Sequence, residues 1–283
     1  MKTCPACSSA RSRGKLGRAG LSLLVCLDCA SERLASARDS QRPEEIYREA
    51  YFVPWGMNPG SPAWRQRSAT AARRVERLLA MGARGRLLDV GCAGGYLLSE
   101  ASALGFDPYG IEISNHAVAV AESVAPGRVK QGIVEEAGYE KSSFGAITLF
   151  DVLEHHPQPA ALLSLLRELL EAEGWLALSV PDVDSLSHAL MGSSWPHYKE
   201  EHLWYPSRKG LRGLLSSTGF RIRWEGRAVK SLSVAFMAPL LRQYPVPVLT
   251  PLFDLARRAR PRGIAEATFS VSIGERFVLA QKS

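Results

Sequence analysis

No apolar run in the 283 residues approaches the roughly 20 needed to span a bilayer. The opening residues, MKTCPACSSA, contain no apolar h-region, so no export signal is read and a cytoplasmic protein is expected. There is no internal repeat and no low-complexity tract, which excludes solenoid and fibrous architectures. The phosphate-loop ending G-K-[S/T] is missing, which removes a Walker-type nucleotide site. The dinucleotide fingerprint G-x-G-x-x-G also fails, because its third glycine position is Tyr96. Cysteine is scarce after residue 29, where Cys92 stands alone; a lone cysteine in a glycine-rich turn reads as a small buried residue.

What is present is ordinary in bulk and uneven in detail. Hydrophobic content is 46% and the net charge is +7. That charge divides into +4 over residues 1–40, −6 over 41–200 and +9 over 201–283. The basic C-terminal part suits an anionic ligand or a solvated arginine-rich surface. Four cysteines cluster as Cys4-x2-Cys7 and Cys26-x2-Cys29, two knuckles separated by 18 residues. This spacing fits a tetrahedral zinc site. Disulfides are the competing reading, but a chain without an export signal is expected in a reducing compartment. A closed four-sulfur site leaves no position for substrate, so its role is expected to be structural.

The rest of the chain suggests five parts: a ribbon at 1–40, a helical cap at 41–82, a core at 83–228, an insertion or lid at 229–263, and final strands at 264–283. In the cap, PEEIYREAYF and SPAWRQRSATAARRVERLLAMG carry helical signals. From residue 86, strand and helix signals alternate, which predicts an α/β fold with a parallel sheet covered on both faces. The closing run ATFSVSIGERFVLAQKS reads as a strand or hairpin. Residues 229–263 are apolar, broken by prolines and basic at their end. They suit a lid, a dimer contact, a membrane-surface element or extra core packing.

Within the core, LLDVGCAGG joins a strand to a helix through small residues. Such a turn aims backbone N–H groups and a helix N-terminus at one point. Asp89 lies at the strand end, and Glu112 ends the next strand, 23 residues later. An acidic residue there hydrogen-bonds the ribose of a nucleoside ligand. The alternative is a plain turn whose glycines serve packing alone.

The run Asp89-x-Gly91-x-Ala93-x-Gly95 resembles the [DE]-x-G-x-G-x-G signature of class I S-adenosylmethionine-dependent methyltransferases, with Ala93 for the middle glycine. FGAITLFDVLEHHPQPAALL resembles the fourth-strand motif of that superfamily, WLALSVP its fifth strand, and EHLWYPSRKGLRGLLSSTGF the following loop, helix and strand. The resemblance implies a Rossmann-like, seven-stranded, mostly parallel sheet with a reversed last strand, here preceded by a small zinc ribbon. It implies S-adenosylmethionine as cofactor beside structural Zn²⁺. The methionine part would lie at Asp89 and the turn Gly91, Ala93, Gly94 and Gly95, the ribose at Glu112, and the adenine near Ile113, Gly132 and Ile133. Phe150 and Asp151 would line the other side. A cysteine ribbon ahead of such a domain also resembles bacterial sugar C-methyltransferases, and Asp151-Val-Leu-Glu154-His155 is similar to a metal-binding run of ubiquinone-pathway O-methyltransferases; the alternative is that Glu154 and His155 form a structural hydrogen-bonding pair at the strand's end.

The loop DVDSLSHALMGSSWPHYKEEHLWYP follows the fifth strand, where open α/β sheets bind substrate. If the acceptor needs a base, His202 is the first choice, with Glu201 orienting it; Tyr198 and His197 come next. The expected activity is O- or C-methylation of a small molecule, such as a sugar or secondary-metabolite precursor. One rival is an RNA or nucleotide-base methyltransferase gripping phosphates with the basic ribbon and C-terminus. Against it, Asp151 is followed by Val-Leu-Glu and not by a Pro-Pro-Tyr-type run. The other rival is a non-catalytic cofactor-binding scaffold.

Overall fold

A computed structural model of the chain describes residues 3–36, 57–233 and 268–283. The helix expected within 43–52 and nearly all of the 229–263 insertion lie outside the described residues. Among the described residues no helix is long and apolar enough to cross a membrane.

The N-terminal ribbon contains β1 (Ser12–Leu16), β2 (Ser22–Cys26) and β3 (Glu32–Leu34), paired antiparallel. The core then runs α1 (Pro62–Ala80), β4 (Arg86–Val90), α2 (Tyr96–Ala103), β5 (Asp107–Glu112), α3 (Asn115–Val124), β6 (Val129–Gln131), β7 (Phe144–Phe150), α4 (Pro159–Leu169) and β8 (Leu170–Pro181). It continues with α5 (Leu186–Met191), β9 (Trp204–Tyr205), α6 (Arg208–Ser217), β10 (Phe220–Arg227), β11 (Lys230–Ser233), β12 (Thr268–Val271) and β13 (Glu275–Lys282). Local chemistry sets the helix starts. Ser61, Ser114 and Ser207 each cap a helix by accepting a backbone N–H from Trp64, Ala117 and Gly210. Pro62 occupies the first position of α1, where its missing N–H costs nothing.

The central sheet has seven strands in the order β10-β13-β8-β7-β4-β5-β6. β13 is antiparallel to both neighbours, so the last strand is reversed. β4, β5, β6, β7 and β8 pair in parallel. Strand alternation divides the core between two faces. Leu87, Ala146, Ala177 and Leu279 pack with Val75 and Leu78 of α1 and Leu97 of α2. Leu88, Ile147, Leu178 and Val278 pack with Leu162, Leu163 and Leu166 of α4 and Leu211, Leu214 and Leu215 of α6. Burying each such leucine contributes roughly 1.5–3 kcal/mol, which makes this double-sided core the main stabilising element.

Two connections differ from the linear reading. ATFSVSIGERFVLAQKS does not fold back on itself: β12 pairs with β11, and β13 inserts between β8 and β10. β9, from the middle of the core, adds to the ribbon sheet through Glu32↔Tyr205 and Arg33↔Trp204. The ribbon is therefore hydrogen-bonded into the domain.

β13 is also tied to β8 at the carboxyl edge of the sheet. Arg276 Nε and Nη2 donate to Asp182 Oδ2 at 3.0 and 2.8 Å, and both side chains are buried. Removing Arg276 leaves the buried Asp182 carboxylate with the longer, 3.4 Å contact to Arg208, a weaker compensation for its burial. Arg276→Met is expected to lower unfolding free energy by about 3–5 kcal/mol in urea titration. The double variant Arg276→Met/Asp182→Leu should recover much of that loss.

Candidate active site

The candidate cofactor cradle lies where β4 and β5 end. Gly91 and Gly95 take positive φ values of 72° and 82°, and Ala93 takes 46°. A side chain at Gly91 would place its Cβ 2.6 Å from Val152 Cγ2, so the turn and the segment after β7 touch directly. The left-handed Ala93 is held from outside: its N–H donates to Glu112 Oε2 at 2.9 Å, while Ser114 N–H donates to Glu112 Oε1 at 3.0 Å. One carboxylate thus braces the ends of two parallel strands. Burial raises the Glu112 pKa, against the pull of those N–H groups. Asp89 accepts from Thr148 Oγ1 at 2.6 Å, and burial pushes its pKa up to about 7. Gly132 N–H donates to the Glu112 carbonyl, and Ile133 next to it is an exposed apolar side chain at the same edge. The sequence-read residues 89–95, 112, 113, 132 and 133 therefore share one rim. Cys92 packs inward against Gly110, and burial lifts its thiol far above the ordinary value, so it is inert packing.

Phe150 ends β7 and Asp151 follows it, beside this turn, and here the structure adds residues that sequence reading missed. Asp151 sits at φ 60°, a conformation that costs a non-glycine residue of order 1 kcal/mol and must be held by its surroundings. Its Oδ1 accepts from Ser179 Oγ at 2.7 Å and its Oδ2 from Lys230 Nζ at 2.9 Å. Lys230 Nζ also donates to Glu275 Oε1 at 2.6 Å. Arg74 lies over the Phe150 ring at 4.2 Å, and its Nη2 is 3.4 Å from Ser179 Oγ. Burial disfavours the Asp151 carboxylate, but Lys230 and Arg74 outweigh it and hold the group well below the usual carboxylate range. Arg74, Lys230 and Glu275 come from α1, β11 and β13, too far apart in the chain for any spacing signal.

The histidine loop differs from expectation. His202 is buried, its Nδ1 has no partner among the described residues, and its ring stands edge-on to His155 with centroids 4.6 Å apart. Burial, aided by His155, carries its pKa well below the ordinary value, which makes it a weak base. Glu201 does not orient it: the Glu201 carboxylate lies 3.8 Å from Lys199 Nζ, and its carbonyl accepts from His155 Nδ1. Tyr198 belongs to the ribbon contact, donating to Glu32 Oε2 at 2.6 Å and accepting from Lys15 Nζ at 2.7 Å. Burial and then Glu32 raise its pKa, so the phenol stays protonated. His197 Nε2 is 3.1 Å from the Ile273 carbonyl, and burial lowers its pKa. These side chains are consumed by packing because the loop is the seam between ribbon and core. Glu154, His155 and His202 bring one ligand atom each within 4.8 Å of one another, a set able to hold a cation. Asp151 is outside that set, its carboxylate already occupied by Lys230.

Where the ribbon packs against the start of α6, Cys4, Cys7, Cys26 and Cys29 converge. Sγ–Sγ distances of 3.5 Å join Cys4 to Cys29 and Cys7 to Cys26, and all four sulfurs lie within 4.8 Å. A Zn–S bond of about 2.3 Å in a tetrahedron needs sulfurs roughly 3.8 Å apart, so the set fits zinc. A disulfide needs about 2.05 Å, which excludes the competing reading in this structure.

Sheet order, reversed last strand and the braced turn at the carboxyl edge together define a class I methyltransferase fold. Residues 63–224 match the family model of a methyltransferase domain. That is more than half of the chain, and the chain belongs to this family. Among curated proteins it is similar to the ubiquinone biosynthesis O-methyltransferase of Paraburkholderia phymatum, 33% identical over 118 residues, covering 39% of this chain and 51% of that protein. The corresponding Albidiferax ferrireducens protein is 34% identical over 101 residues, covering 33% of this chain and 40% of that protein. The chain spans about half the length of the curated relatives it matches. Its fold is similar to magnesium protoporphyrin IX methyltransferase from Synechocystis, solved with bound S-adenosylhomocysteine (TM-score 0.56, 17% identity, 85% of this chain and 98% of that one). It is also similar to a Haloferax volcanii methyltransferase complex with the Trm112 activator (TM-score 0.55, 14% identity, 77% and 90%). At these identities the structural likeness concerns the fold.

Proposed function

We propose that the protein transfers a methyl group from S-adenosylmethionine to an oxygen of a small-molecule acceptor, and that its ribbon holds one structural Zn²⁺. The observation that carries this reading is the Glu112 carboxylate bracing a left-handed, side-chain-poor turn at the carboxyl edge of parallel strands. When bound, the cofactor supplies a methyl group on a sulfonium, already a good leaving group. The chain's own task is then mainly positioning.

Gly91 to Gly95 admit the methionine portion close to the backbone, near Asp89. Each Glu112 oxygen accepts one backbone N–H and keeps a second lone pair for a ribose hydroxyl. Ile113, Gly132 and Ile133 form the adenine wall. Phe150, fixed between Arg74 and Phe277, and Asp151, fixed by Ser179 and Lys230, form the wall toward the acceptor. The acceptor enters beside Asp151, where polar side chains from β7, β8, β11 and β13 meet. The neutral buried histidines shape this wall and exclude water.

The test is ligand mass spectrometry of the purified chain followed by methyl transfer to a panel of phenols, sugars, amines and RNA. S-adenosylmethionine or its demethylated product should co-purify, and a labelled methyl should pass to a small oxygen acceptor. Transfer to RNA alone, weakening steeply with salt, would replace the acceptor reading. Cofactor binding with no methyl transfer to any class would leave a scaffold.

A further inference from the structure

The sheet face that carries Leu88 holds a second constellation of side chains, on β4, β5 and β6. Strand register puts it there. Leu88 pairs with Tyr109, and Gly110 with Val129, so Arg86, Tyr109, Arg128 and Lys130 project to one face. With Tyr139 and Glu140 from the segment before β7, they line a cavity of about 340 Å³. Small-molecule sites run from roughly 300 to 1,000 Å³, so this one suits a compact ligand. It shares no residue with the rim formed by residues 89–95, 112, 113, 132 and 133.

Arg86 is the unusual member. Its guanidinium lies over the Tyr109 and Phe144 rings, 4.5 and 5.1 Å from their centroids. Those rings favour a cation at that spot and hold its stem. Among the described residues no acceptor or counter-ion engages the guanidinium, and its Nε is buried without a partner. An unpaired, partly desolvated cation is costly, and an anion in the adjoining cavity relieves that cost. Arg128 shows the contrast. It also lies over Tyr109, at 4.8 Å, but Asp107 matches it at 2.8 Å. Lys130 sits 4.4 Å from the Tyr139 ring centroid and gives one N–H to the Ala137 carbonyl at 2.8 Å. An ammonium has three donors, so two are left for a ligand. Glu140 is the one carboxylate in the lining, so Arg86 and Lys130 leave one positive charge in excess.

The donor set also discriminates between anions. A guanidinium fork holds two oxygens side by side, and an ammonium takes a third. A carboxylate has two oxygens, whereas a phosphate monoester has three terminal ones. Tyr109 and Tyr139 offer ring surface to the organic body that carries the phosphate.

We propose that this cavity binds a compact phosphate monoester, with its phosphoryl oxygens held by Arg86 and Lys130. The site goes beyond the cofactor and acceptor reading and does not depend on it.

The probe is phenyl phosphate, titrated by calorimetry into the full-length chain at low ionic strength, where charged contacts are least screened. A Kd of about 1 mM or lower is expected, with benzoate and phenol binding at least about tenfold more weakly. Lys130→Gln should weaken phenyl phosphate about tenfold and Arg86→Met by more, while Arg86→Lys, which keeps the charge and loses the fork, should recover only part. Arg86 also packs on two rings, so each variant's melting curve is recorded; Lys130 is exposed, and Lys130→Gln carries the test should Arg86→Met not fold. Saturating S-adenosylhomocysteine should leave phenyl phosphate affinity within about twofold. No heat of binding up to about 10 mM phenyl phosphate, equal affinity in Lys130→Gln, benzoate bound as tightly, or displacement of the probe by S-adenosylhomocysteine would each overturn the proposal. Tighter binding of a ribo-oligonucleotide through the same two residues would overturn it as well, because the ligand would then be a nucleic-acid backbone.

Discussion

Glu112→Ala is expected to weaken S-adenosylhomocysteine binding by about 100-fold or more in calorimetry, with the fold retained. Two effects combine. Hydrogen bonds from ribose hydroxyls to a charged carboxylate contribute about 1.5–3 kcal/mol each, and a factor of ten is about 1.4 kcal/mol. The same substitution also leaves the Ala93 and Ser114 N–H groups without their acceptor, so the left-handed turn loses its brace before any ligand arrives. Glu112→Gln separates the two. Its single carbonyl oxygen can still support one of the N–H groups, and an intermediate loss of about tenfold is expected. Unchanged affinity in Glu112→Ala would show that the carboxylate serves the turn's architecture and no nucleoside.

The second large effect concerns the ribbon. The purified chain is expected to hold one zinc ion, and Cys26→Ser or chelation to cost about 3 kcal/mol or more, with Tm lowered by about 10 °C. Structural zinc contributes directly to folding. Here the loss also travels. Ser207 Oγ donates to the Cys29 carbonyl, Ser207 N–H donates to Ser31 Oγ, and Leu34 N–H donates to the Leu203 carbonyl. Leu203 N–H in turn reaches the Glu154 carbonyl, and Trp204 Nε1 reaches the Leu153 carbonyl. Metal loss should therefore change Trp204 fluorescence and loosen the segment after β7. Among the described residues the Gly91–Gly95 turn makes no such contact with the ribbon, so S-adenosylhomocysteine affinity should fall far less than stability. Full metal content and an unshifted melting curve in Cys26→Ser would contradict the zinc assignment.

The geometry of the candidate cofactor turn was legible in the linear chain because its parts are local. The turn from Asp89 to Gly95 is contiguous, and Glu112 follows one helix later, so a single βαβ unit brings them together. The cysteine knuckles are readable for the same reason. Each pair spans one tight turn, and one short hairpin joins the two. The acceptor side was misread where residue type stood in for environment. His202 with Glu201 has the composition of a base and its orienting partner, yet burial makes the imidazole a poor base, and Glu201 turns toward Lys199. Tyr198 has the right chemistry in the wrong place, locked onto Glu32 of the ribbon. Neither outcome leaves a trace in sequence spacing, because both follow from how β9 joins the ribbon sheet.

The sequence alone determined the alternation of strands and helices, the small-residue turn, the acid that follows it and the four converging thiols, since each depends on neighbours within one supersecondary unit. Tertiary structure alone decided that β12 pairs with β11 while β13 joins the main sheet, that the ribbon shares a sheet with β9, and that Arg74, Lys230 and Glu275 gather around Asp151. Those residues are drawn from α1, β11 and β13, and the packing of α1 and the separate β11–β12 pair against the end of the seven-stranded sheet brings them together. The physical reason is range. Capping, turn and knuckle geometry act over a few residues, whereas burial and charge pairing depend on every element packed nearby.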